Sequence, residues 1–170
     1  MGNKVTDAGA KAFLGFARQY YAAANTVLEH SPLLWYPLYF LYFHAAEMLL
    51  KAFLRANALP ILGTERKSHK LTELYEECRS LGLIVDSADR DRFQVKNIVS
   101  LLESGNEYQG FRYWSRGGTS MPELGWTKEV VGQLLQTVES FVEVKLGKDT
   151  EPGVATGMVA VYGKPRPRRP

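Results

Sequence analysis

The sequence predicts an all-α protein, an up-and-down antiparallel bundle of four to five helices followed by a flexible C-terminal tail. First, apolar residues recur every three or four positions through most of the first 146 residues, which is the period of an amphipathic helix. Second, no stretch there alternates apolar and polar residues as a strand would. Third, the connectors are mostly short, which favours antiparallel neighbours. With 170 residues, 45% of them hydrophobic, the chain can build one ordinary core.

The first two helices are predicted over residues 7–29 and from Pro37 to about Asn57. A proline in the first turn loses no helical hydrogen bond, so Pro37 can begin the second helix. The longest apolar stretch, residues 33–46, is too short for the roughly 20 apolar residues of a membrane span. We therefore interpret it as a buried core helix, with the second helix central to the bundle and no membrane association.

Three further helices complete the bundle. Ser68 can cap the third helix and Gly82 can end it. The fourth is predicted from near Ser87 to residues 104–106, and the last over residues 127–146. The apolar stripes predicted to face the core are Leu71, Leu74, Tyr75, Cys78 and Leu81 in the third helix, Val95, Ile98, Val99 and Leu102 in the fourth, and Val131, Leu134, Leu135, Val138, Phe141 and Val142 in the last.

The charge divides the chain into residues 1–146, the helical bundle, and residues 147–170, a basic tail rich in proline and arginine. The tail holds five basic and two acidic residues, which account for the whole net charge of +3. Any affinity of the bundle for a polyanion must therefore come from local clusters. The single cysteine, Cys78, cannot form an internal disulfide, so a cytoplasmic protein is expected.

His44, Glu47 and Lys51 lie on one face of the second helix, because offsets of three and seven bring side chains into register. One His-x-x-Glu pair is insufficient for a bundle metal site, which needs several inward carboxylates. We predict no metal and no cofactor. We interpret Glu47 and Lys51 as an ion pair with His44 packed beside it.

Two segments have the residue types that bind nucleic acids. Arg66, Lys67, His69 and Lys70 lie at the predicted start of the third helix, where free amides and the helix dipole favour phosphate. The alternative is a solvated charged loop.

The second segment, residues 107–124, has no helical period and interleaves aromatic residues with arginines. Tyr113 could stack on a base while Arg112 and Arg116 pair with phosphates. Alternatively, the rings anchor a long loop on the bundle. No Gly-rich phosphate loop, nucleophile elbow, zinc spacing or paired-carboxylate motif occurs in the sequence.

The ordered set of segments from Phe40 to Leu54, from Ser68 to Leu74 and from Tyr108 to Tyr113 resembles the HEPN (higher eukaryotes and prokaryotes nucleotide-binding) domain over about residues 8–146. The resemblance implies a helical bundle that is usually a homodimer. Many members are metal-independent ribonucleases or partners of a minimal nucleotidyltransferase in toxin–antitoxin systems, and others bind nucleotides or RNA.

By this resemblance, His69 matches the family histidine at the start of the third helix, and Arg112 with Tyr113 matches its Arg-Tyr after the fourth. Glu47 and Lys51 match the polar strip of the second helix. Ribonuclease members carry an arginine that is separated from the histidine by four to six intervening residues. None of the three histidines here has an arginine at that spacing, since Arg66 precedes His69 by only three positions.

The leading hypothesis is therefore a HEPN-like module that binds nucleotide or RNA and lacks ribonuclease activity, as a homodimer or with a nucleotidyltransferase-type partner. One alternative is a structural bundle that binds another protein. A second is a noncanonical ribonuclease in which His69 acts as general acid or base and Arg112 stabilises phosphate charge.

Overall fold

A computed structural model describes residues 4–58, 70–85, 95–106 and 120–147. Within these ranges the chain forms five helices and no strand, which confirms the predicted all-α bundle. No helix in the described ranges is both long enough and apolar enough to cross a membrane. The helices are α1 (Lys4–His30), α2 (Trp35–Ala56), α3 (Leu71–Ser80), α4 (Val95–Asn106) and α5 (Leu124–Leu146).

The second helix is the centre of the bundle, as predicted, because it packs against each of the other four. Its neighbour α1 runs antiparallel to it, since the Tyr42 hydroxyl donates to Asn25 Oδ1 at 3.0 Å near the end of α1. The last helix runs parallel to α2. The Tyr39 hydroxyl donates to the carbonyl of Pro122, just before α5, and the rings of Phe53 and Phe141 pack 4.3 Å apart further along.

The turn between α1 and α2 departs from the prediction. Helix α2 begins at Trp35, two residues before Pro37, and the proline still loses no bond because it lies within the first turn. Residues 33–36 were expected inside the core, and this expectation is wrong. They extend past the end of α1, where no described helix covers them, so all four are exposed. The exposed side chains, which we call the apolar tip, are Leu33, Leu34, Trp35 and Tyr36.

The third helix ends as the sequence predicts. Gly82 adopts a φ of +91°, the left-handed region that glycine favours, and its amide donates to the carbonyl of Arg79. The amide of Leu83 reaches back to the carbonyl of Cys78, which completes a Schellman motif. Leu81, predicted to face the core, is 39% exposed because the chain leaves the helical path at that residue.

Helix starts were predicted less well than helix faces. Lys70, not Ser68, occupies the position before α3, and its side chain makes no capping bond. Helix α5 begins at Leu124, one turn earlier than predicted, because the Glu123 carboxylate accepts from the amides of Gly125 and Trp126. The predicted start of α4 near Ser87 lies outside the described residues, as does the tail from 148 to 170.

The predicted stripes of α4 and α5 face the core. All four predicted residues of α4 are buried, and in α5 only Leu135 and Phe141 stay partly exposed while packing against it. Polar contacts also join α1 to α5; in one of them the Arg18 guanidinium donates from Nε to Glu139 Oε1 at 2.8 Å. In α4 and α5, the helical period of the apolar residues therefore predicts which face of the helix is buried.

Candidate functional site

A polar cluster lies inside the bundle on α2. Lys51 Nζ donates to Glu47 Oε1 at 2.6 Å, four residues away on the same helix. The Glu47 side chain is fully buried and that of Lys51 is 8% exposed. This is the ion pair that the sequence favoured. A buried carboxylate needs a compensating charge. Breaking this pair would therefore leave an uncompensated charge in the core and destabilise the fold.

His44 completes this cluster on the α1 side. Its Nδ1 lies 3.1 Å from Glu47 Oε2 and donates to it in the Nδ1-protonated tautomer. The imidazole stacks on Tyr20 at 5.3 Å and meets the edges of Phe40 and Phe43 at 4.4 and 5.4 Å. His44 contacts three aromatic rings, and only 15% of its side chain is exposed. We therefore interpret it as a residue that packs in the core.

The start of α3 has a different electrostatic character. Lys70 Nζ donates to Glu73 Oε1 at 3.1 Å, and both side chains are about half exposed. This hydrogen bond, together with the negative charge of Glu73, raises the pKa of Lys70. Lys70 is therefore engaged by a carboxylate of its own helix, which reduces its availability to phosphate.

A carboxylate from α4 already occupies the first turn of α3. Glu103 Oε2 accepts from the backbone amide of Thr72 at 2.6 Å. The Glu103 carboxylate thus lies where the amides of the first turn and the helix dipole favour negative charge. It also joins the first turn of α3 to the last turn of α4.

Six of the predicted site residues lie outside the described ranges, and they divide between the two segments singled out in the sequence. Arg66, Lys67 and His69 precede Lys70, and Arg112, Tyr113 and Arg116 lie between Asn106 and Ser120. The cluster of His44, Glu47 and Lys51 differs from these segments in its exposure to solvent. Glu47 and Lys51 are buried and His44 is mostly buried, whereas Lys70 is exposed.

A cleft that the sequence patterns do not reveal lies between α4 and the start of α5. Its volume is about 450 Å³, and its wall includes Asn97 and Ser100 from α4 and Trp126 from α5. The signal available in the sequence was a tryptophan at the edge of a predicted helix rather than on its apolar stripe. In the described residues, no group of three or more His, Cys, Asp or Glu side chains could hold a metal ion.

Cys78 is buried, as predicted, and its thiol donates to the carbonyl of Leu50 at 3.5 Å. Burial raises the pKa of the thiol well above its ordinary value, so the reactive thiolate is suppressed.

Comparison with protein-family models, with curated proteins and with solved structures found no significant match to this chain.

Proposed function

We propose that this protein is a HEPN-like module that binds RNA or nucleotides through the basic segments before α3 and after α4, without ribonuclease activity. One observation carries the proposal, the hydrogen bond from the Thr72 amide to Glu103. His69 precedes Thr72 by three residues, and the segment from 107 begins four residues after Glu103. The attachment points of the two segments are therefore neighbours in the fold.

The charges of the described residues indicate which cations would contact phosphate. Lys70 is paired with Glu73, and Glu103 adds a second carboxylate at the start of α3. An RNA backbone would be repelled by these two carboxylates unless other cations outweigh them. Lys67 and Arg112 are the candidates for that role, and Lys70 contributes less.

The proposal is tested by charge reversal at Lys67 and Arg112. Fluorescence anisotropy with a labelled single-stranded RNA, at about 50 and 200 mM salt, measures affinity and its salt dependence. Because each phosphate contact releases counterions, we expect K67E and R112E each to weaken binding and to reduce the log–log salt slope by roughly one.

Arg79→Glu is the matched control, since it makes the same charge change in the last turn of α3. Arg79 is exposed and lies about 12 Å along the helix from Leu71 at the usual rise per residue. Its affinity and salt slope should stay close to those of the unmodified protein. If all three variants lost RNA affinity equally, the loss would be due to net charge and not to a specific interface. Unchanged RNA binding in K67E and R112E would refute the proposed interface.

A second candidate is an interaction bundle, and the apolar tip favours it. Leu33 is 83% exposed and Trp35 is 58% exposed, and they are contiguous with Leu34 and Tyr36. Four adjacent exposed apolar side chains are unusual for an isolated helical hairpin, since each loses the benefit of burial. We propose a second copy of the chain as the occupant, in keeping with the homodimer implied by the HEPN resemblance. A nucleotidyltransferase-type protein is the alternative partner.

Sedimentation velocity over a range of protein concentrations tests the homodimer. Leu33→Ser combined with Trp35→Ser should shift the protein to monomer, because an interface loses its apolar anchors. Val144→Ser, at an 89% exposed position near the end of α5, is the control and should leave the association unchanged. A protein that is monomeric before substitution would eliminate self-association.

A further inference from the structure

The apolar tip and the cleft between α4 and α5 lie next to each other at one end of the bundle. The Tyr39 hydroxyl donates to the carbonyl of Pro122. Tyr39 follows Tyr36, the last residue of the tip, by three positions, and Pro122 lines the cleft. A group of exposed apolar side chains is therefore adjacent to a depression on the same molecule.

The surface of the cleft suits apolar side chains. Leu101 and Met121 line it and are partly exposed, and Trp126 beside them is 41% exposed. Of the described residues that line it, only Glu123 is charged, and its oxygens already accept from two backbone amides at the start of α5. The tip has no charged residue, so a contact between tip and cleft brings no like charges together.

The area of the tip is too small for a stable contact between two tips alone. Its four side chains are 49 to 83% exposed, which corresponds to roughly 400 to 600 Å², since a large side chain has about 150 to 250 Å² of surface. A standard interface buries about 800 Å² on each partner. The tip therefore needs a neighbouring surface to reach that area, and the cleft adjoins it.

We propose that, in the homodimer, the tip of each copy docks into the cleft of the other copy, so that the same contact is made twice about a two-fold axis. Such an interface requires that one patch contacts a second patch on the other copy and that the reverse contact also forms. A protrusion and a depression side by side on one molecule meet this requirement. The inference rests on the homodimer proposed above and adds the surface that receives the tip.

A charged side chain in the cleft tests the inference while the tip stays intact. Ser100 is exposed on the cleft wall. Because a buried unpaired charge is costly, Ser100→Arg should raise the Kd of the dimer at least about tenfold, measured by sedimentation velocity. Ser140→Arg is the matched control, since it makes the same change at an exposed position about 20 Å along α5 from Trp126. It should leave the dimer unchanged, and circular dichroism checks the fold of both variants.

Disulfide trapping identifies the contact itself. Cys78 is buried and its thiol is suppressed, so cysteines introduced at the surface dominate the reaction. After mild oxidation, a mixture of Leu33→Cys protein and Ser100→Cys protein should form a covalent dimer in which mass spectrometry finds the two positions linked. A mixture of Leu33→Cys protein and Ser140→Cys protein should form little.

The results separate the inference from the homodimer on which it rests. An unchanged dimer in S100R, or equal trapping in the two mixtures, would overturn docking into the cleft while the homodimer stands. A covalent dimer formed in higher yield by L33C protein alone would show that the tips meet each other, and would also overturn it. A protein that sediments as a monomer before substitution would refute the homodimer, and the inference with it.

Discussion

Two ion pairs of similar sequence spacing occupy opposite environments in this protein. Glu47 and Lys51 are four residues apart on α2, with their charged atoms 2.6 Å apart and almost no exposed surface. Lys70 and Glu73 are three residues apart at the start of α3, with atoms 3.1 Å apart and about half of each side chain exposed. In sequence both pairs appear as helical neighbours of opposite charge. In the structure only the first is shielded from water.

The difference determines how each pair can serve the protein. In water the attraction between two charges is screened, so an exposed pair adds little stability and its members can exchange partners. Inside the core, a charge that loses its partner has neither water nor counterion to replace it. Loss of the pair on α2 is therefore expected to destabilise the fold, whereas loss of the exposed pair at the start of α3 is expected to have little effect on stability.

The largest effect is expected from Glu47→Gln. The substitution leaves Lys51 buried without its negative partner, and breaking such a pair costs about 3 to 5 kcal/mol in the free energy of unfolding. Urea denaturation followed by circular dichroism measures the change. His44 would also lose its charged acceptor, which adds to the loss.

Glu73→Gln is the control, because it removes the same carboxylate from the exposed pair. Its unfolding free energy should be indistinguishable from that of the unmodified protein. Comparable losses in E47Q and E73Q would contradict the contrast between the two regions. The double variant Glu47→Leu with Lys51→Met should recover much of the stability lost in E47Q, since apolar residues of similar volume can replace a buried pair.

Removing the buried hydroxyl of Tyr42, a neutral group, is expected to lower the stability less than breaking the buried ion pair of Glu47 and Lys51. Burial, and then the neighbouring Tyr21, raises the pKa of Tyr42 well above its ordinary value. Above about pH 10 the unfolded chain ionises this tyrosine while the folded chain keeps it neutral. Its contribution to stability is therefore present below that pH and is lost as the pH rises further.

Tyr42→Phe should cost about 1 kcal/mol at neutral pH, through loss of the bond to Asn25, and should make the alkaline decline of stability shallower. Thermal unfolding between pH 7 and 11 measures both effects. Tyr36→Phe, at an exposed position in the apolar tip, should change neither. A decline of the same slope in Y42F and in the unmodified protein would show that other groups cause it.

The sequence predicts the buried faces of the helices better than it predicts where the helices begin and which of their ends are covered. Buried stripes such as Val95 to Leu102 in α4 follow from the helical period, and the end of α3 follows from the backbone freedom of Gly82. The apolar tip was missed because a continuous apolar run looks the same whether a neighbouring helix covers it or not. The early start of α5 was missed because it depends on the capping bonds of Glu123.

The candidate site was only partly predictable. The ion pair of Glu47 with Lys51 follows from their spacing on one helix, and Cys78 was correctly expected in the core. The bond from Thr72 to Glu103 joins residues 31 positions apart, and no local pattern encodes it. No local pattern encodes the cleft beside Trp126 either, since its two walls come from separate helices.

By itself, the sequence determined the class of fold, the apolar face of each helix and the balance of charge between bundle and tail. These properties arise from the periodicity of single segments, and a segment carries its period wherever it packs. The tertiary structure alone decided which ion pair loses its water, which apolar residues stay uncovered and which helix ends meet. Those outcomes depend on what lies beside a residue in space. The free energy of a charged side chain changes strongly when it is buried away from water, and the sequence of its own helix does not show whether it is buried.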